Sequence, residues 1–142
     1  MMKLVLSLTV VLAAAGLGIG DDAENDLKKL AGTWEEVSHT ADGKAKTADE
    51  VKGRTVVIDA SGKWEAFQDG TSLLKGTVKL DPAQKPRAAD WTIEGSDMVA
   101  KSIYEVDGDT WKHCFSLTER PKEFGSKEGS GVYYIVLKRV KK

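Results

Sequence analysis

The chain carries two histidines and a single cysteine, the first places to look for reactive chemistry. His113 and Cys114 are adjacent and have the types that a thiol nucleophile and its base require. In a strand, however, consecutive side chains point to opposite faces, so these two cannot serve one another. Glu35 and Glu36 alternate in the same way and make no acid–base couple. Asp107-Gly108-Asp109 looks like part of a calcium loop, but such a loop needs more oxygen ligands and a closing Glu. Gly129-Ser130-Gly131 lacks the strand–turn–helix setting that exposes a nucleophilic serine. His39, His113 and Cys114 make a zinc site only with added carboxylates. The expectation is therefore no enzyme, no metal and no cofactor. Cys114 has no partner for an intrachain disulfide and reads as a small buried apolar group. A reactive or dimerising thiol is the alternative.

What remains is the chemistry of binding. Trp64, Trp91, Tyr104, Trp111, His113, Phe115 and Tyr134 are the expected lining of a cavity, with His113 as its polar tip. The alternative is that these bulky groups simply fill a small barrel.

The elements that must position them are strands. Asp42-Gly43, Ser61-Gly62, Asp69-Gly70 and Asp107-Gly108 are turn dipeptides, glycine supplying positive φ without steric cost. Between them lie β-type runs at Thr33–Thr40, Arg54–Asp59, Lys63–Gln68, Thr71–Leu80, Ala89–Glu94, Met98–Val106, Thr110–Leu117 and Val132–Val140. A short helix is expected at Ala48–Lys52, because Thr47 and Glu50 have capping-box spacing. Asp21–Leu30 reads as a helical or irregular lead-in whose Leu27 and Leu30 cap one barrel end. Eight sequential antiparallel strands leave two open edges unless the sheet closes. The predicted fold is thus all-β, an eight-stranded antiparallel up-and-down barrel, with a flattened sandwich as the alternative. The last strand is apolar on both faces, so it is either covered outside or part of an interface.

Residues 1–20 differ from the rest. Lys3 precedes an uncharged stretch, Leu4 to Gly20, which ends in small residues before Asp21-Asp22. That is the pattern of a signal peptide, with cleavage between 15 and 23, leaving one domain over residues 21–142. An uncleaved anchor is the alternative, though the stretch falls short of the roughly 20 residues that usually span a bilayer. The expected location is secreted or periplasmic. A formal net charge of −1 argues against a nucleic-acid or anionic-membrane surface.

Gly32-Thr33-Trp34 opens the first strand as G-x-W. With it come Ile103 to Thr110 (IYEVDGDT), Cys114-Phe115, Arg120-Pro121, Phe124 and Leu137-Lys138-Arg139. In this order the set resembles the small lipocalin-like domain family abundant in planctomycetes, over almost the whole chain after residue 20. The resemblance implies a lipocalin-like barrel and carries no activity. It further implies that Trp34 packs under Arg139 to close the narrow end. Two positions depart from the pattern: Ser102 stands where glycine is expected, and Glu36 where an apolar residue is usual. An inward Glu36 implies a more polar floor or a bulge in the first strand. The expected function is an exported binding module holding a small apolar or amphipathic molecule. The alternative is a structural or protein-interaction domain, meeting a partner through strand 132–140 or loop 118–131. In that loop Arg120 and Phe124 are the contact candidates, unless Pro121 only stiffens it and Phe124 lids the barrel mouth.

Overall fold

The computed structural model describes residues 22–141, and the expected leader over residues 1–20 lies outside them. Residues 22–30 form helix α1. Strand β1 (Gly32–Ala41) follows, then the two-residue β2 (Lys44–Ala45) and the one-turn helix α2 (Ala48–Val51). The remaining strands are β3 (Arg54–Ile58), β4 (Lys63–Gln68), β5 (Thr71–Asp81), β6 (Ala88–Ile93), β7 (Val99–Asp107), β8 (Thr110–Ser116) and β9 (Tyr133–Arg139). The eight strands read from sequence agree with β1 and β3–β9 to within one residue at either end. The short β2, which hairpins onto the end of β1, was not among them.

Each of β3 to β9 pairs antiparallel with its neighbour in sequence, and β9 pairs back onto β1. The ring is closed: an eight-stranded, up-and-down, lipocalin-like barrel rather than a flattened sandwich. Turn chemistry sets the hairpins. Asp42 and Asp69 lie at φ of 50° and 51°, each followed by a glycine at 83°. Two successive positive φ values give the turn whose twist matches that of paired strands. Thr47 caps α2 by accepting from the Glu50 amide, and Glu50 returns the bond to the Thr47 amide.

One irregularity matters for the interior. The β1–β9 register slips between Glu36 and Ser38, leaving Val37 as an extra, exposed residue. A bulge of this kind reverses which face the following residues occupy. Trp34 and Glu36 point inward, and beyond the bulge buried His39 takes the inward place that Ser38 would otherwise hold. Around the same level β1 and β3 part. Their pairing stops at Glu35–Thr55, and α2 packs beside the opening with Val51 buried.

The core fills one end. Leu30, Trp34, Ile58, Leu80, Tyr104 and Leu137 pack there with Trp91 and Trp111 above them. Burying an indole of about 200 Å² contributes on the order of 5 kcal/mol before entropy is subtracted. α1 plugs this end, as its Leu27 and Leu30 suggested: Leu30 is fully buried, and Leu27 packs against the cluster. At Gly76 the strands β5 and β6 approach so closely that a Cβ would run into the Thr92 carbonyl.

Candidate ligand-binding cavity

The closed end is pinned by two polar assemblies. Trp34 Nε1 donates to the Leu30 carbonyl at 2.8 Å. The Arg139 guanidinium lies 4.3 Å above the Trp34 ring, the arrangement implied by the lipocalin-like resemblance. Arg139 also donates to the carbonyls of Lys29 (2.6 Å) and Ala31 (2.9 Å), which the end of α1 leaves open. Deeper in, Asp26 is 2% exposed and receives both Arg87 (2.7 and 2.8 Å) and the Tyr104 hydroxyl (2.6 Å). Burial, and then the Asp26 carboxylate, hold the Tyr104 phenol protonated far above its usual range. Tyr104 therefore belongs to the latch beneath the floor and does not line the cavity.

Above this floor the barrel opens into a cavity of about 410 Å³. Trp64, Trp91, Trp111, His113 and Phe115 all line it, so five of the seven expected residues come together. These rings pack against one another into a continuous aromatic wall. Trp91 and Trp111 stack at 5.7 Å, His113 on Phe115 at 4.9 Å, and Phe115 on Tyr133 at 4.8 Å. Trp91 Nε1 donates to Ser102 Oγ at 2.8 Å, and Trp64 Nε1 to the Thr77 carbonyl at 3.1 Å. Ser102 thus has a definite task where glycine was expected: its hydroxyl is the partner of a buried indole N–H. Trp111 Nε1 and His113 Nδ1 have no partner among the described residues. Burial lowers the His113 pKa from 6.5 to about 3, and nearby His39 pushes it the same way. The ring is therefore a neutral imidazole at ordinary pH.

Tyr134 is the other correction. On β9 it is Tyr133, Ile135 and Leu137 that line the cavity, and Tyr134 faces outward. There it meets Phe124 at a ring separation of 6.2 Å. Both faces of β9 are apolar because both are covered, one by the barrel interior and one by the 117–132 segment. Phe124 accordingly packs on the outer wall and does not lid the mouth. Cys114 lies under the same segment, fully buried, with Sγ 3.4 Å from the Gly125 carbonyl. Arg120 is committed to the outer wall as well, donating to the carbonyls of Ala89 and Ser102 and to Asp90.

Sequence reasoning missed the polar corner of the cavity. Glu36 and Arg54 line it, with side chains 10% and 29% exposed. Glu36 Oε1 lies 2.9 Å from His39 Nδ1 and 4.0 Å from an Arg54 nitrogen. Arg54 Nε also donates to Gln68 at 3.1 Å. The one signal was the acidic residue at Glu36, where an apolar one is usual. Of the two alternatives it implied, the bulge is present, and the polar groups lie in the cavity above the apolar floor. The mouth is rimmed by Leu73, Leu74 and Leu117, all exposed.

Fold and cavity together define a lipocalin-like barrel, closed at one end and hollow at the other. Comparison with family models, curated proteins and solved structures finds no match to this chain.

Proposed function

We propose that this chain is an exported, lipocalin-like carrier that holds one small apolar or amphipathic molecule in the open half of its barrel. The observation that carries the reading is the cavity of about 410 Å³ walled by three indoles, His113 and Phe115. Ligand sites are typically about 300–1,000 Å³, mostly apolar, with a few placed polar groups. The Glu36–His39–Arg54 corner supplies those groups on an otherwise apolar wall. The leader-like residues 1–20 support export to a secreted or periplasmic location, and the ordered G-x-W and IYEVDGDT stretches support membership of the planctomycete-type family. A filled barrel serving only protein contacts has less support, because the interior is packed around Trp34 and Leu30 but hollow around His113.

The test is titration of folded protein with the uncharged fluorescent apolar probe N-phenyl-1-naphthylamine, followed by displacement with non-fluorescent apolar and amphipathic molecules. Saturable one-to-one binding is expected, and it should be lost in Ala66→Trp, which places an indole in the cavity. A wild-type protein with no saturable binding would overturn the reading in favour of the interaction domain.

A further inference from the structure

Resting on that carrier reading, we infer that the cavity selects a planar aromatic amine, taken up as its cation. Among the described residues lining the cavity, Glu36 is the sole carboxylate and Arg54 the sole permanent cation. They are not equally available. Arg54 is already held by Gln68 and Glu36, and it is the more exposed of the two. Glu36 spends one oxygen, Oε1, on both His39 and Arg54, and no described donor reaches Oε2. A carboxylate oxygen facing a low-polarity cavity is a strong acceptor for an incoming N–H.

The wall points the same way. Trp64 and Tyr133, both only partly buried, offer ring faces that attract cations through the ring quadrupole and stack on flat rings, while Trp91 and Trp111 are stacked on one another and almost fully buried. An anion would meet those faces and Glu36 together, with one occupied guanidinium in its favour. A purely apolar guest would leave Glu36 Oε2 without a donor. An aromatic body with a short ammonium arm satisfies the wall and the corner at once. The inward place of Glu36, next to the Val37 bulge, makes the corner possible.

The experiment uses three matched probes, naphthylethylamine, naphthylacetate and ethylnaphthalene, titrated calorimetrically into the folded protein near neutral pH. The amine should bind about tenfold tighter than either of the others, the factor that one charge-assisted hydrogen bond to Glu36 supplies. Glu36→Gln should bring the amine level with ethylnaphthalene and leave ethylnaphthalene itself unchanged. Arg54→Gln should widen the amine's lead over naphthylacetate, and it carries the test should Glu36→Gln fail to fold. The inference falls if naphthylacetate binds as tightly as the amine, if Glu36→Gln leaves amine affinity unmoved, or if Arg54→Gln narrows the gap. In each of those cases the carrier reading stands, because a probe still binds. Absence of binding by all three sinks both.

Discussion

Replacing His113 with Phe should make the protein less sensitive to acid. In the folded barrel the imidazole is neutral, its pKa lowered from 6.5 to about 3 by burial among the rings. Between these values the unfolded chain binds a proton that the folded chain does not, so stability rises with pH and is lost on acidification. Taking the protein from about pH 7.5 to about pH 4.5 should remove on the order of 2 kcal/mol through this one group. The titratable group that acts on it inside the barrel is His39, which remains in both proteins. Phe retains the stack on Phe115 and the edge contact with Trp91, and it removes the unpartnered Nδ1. Asp59 and Asp109, whose hydrogen bonds lower their pKa values, give way only at still lower pH and do so equally in both proteins. Urea unfolding followed by tryptophan fluorescence at a series of pH values gives the two curves. They should lie close together above neutrality and diverge below it, with His113→Phe the more stable at acid pH. Parallel curves throughout would refute the assignment of a neutral, buried imidazole.

Arg139→Ala should lower stability by about 3 kcal/mol, from a lost cation–π contact of about 0.5–2 kcal/mol and about 1 kcal/mol for each orphaned α1 carbonyl. For a domain of this size that is a fall in Tm of roughly 10–15 °C, and an unchanged Tm contradicts the floor as described. Gly76→Ala forces a Cβ against the Thr92 carbonyl and should cost at least about 2 kcal/mol in urea unfolding, whereas an equal midpoint shows that the strands can part freely. Burial raises the Cys114 thiol pKa, so Ellman's reagent should label it only as fast as the protein unfolds. Fast labelling in the native state would show that the 117–132 segment does not cover it.

The strands were legible because each alternates and each ends on turn chemistry that leaves little choice. Asp42-Gly43 and Asp69-Gly70 do in the structure what their sequence requires. The face assignment was legible wherever one face was polar, as on β8, where Trp111, His113 and Phe115 lie between Lys112 and Cys114. It was illegible on β9, where Tyr133 and Tyr134 are equally fit for burial and an outer cover decides between them. His39 was hidden for another reason. A bulge changes parity without leaving a signature in composition, so the inward position of Glu36 did not disclose that of His39. Tyr104 was placed correctly inside but at the wrong height, because Asp26 on α1 reaches it from far away in sequence.

The seam between β1 and β9 has a consequence for how the molecule comes into being. All other ladders of the ring join strands that are neighbours along the chain, and they can form as the polypeptide emerges. This one joins the first strand made to the last, with Trp34 directly opposite Arg139. Until the final strand leaves the ribosome, the nascent chain is a ribbon with two raw edges and an uncovered indole. Closure of the ring therefore waits on β9, and a chain that lacks this strand has no route to a finished fold.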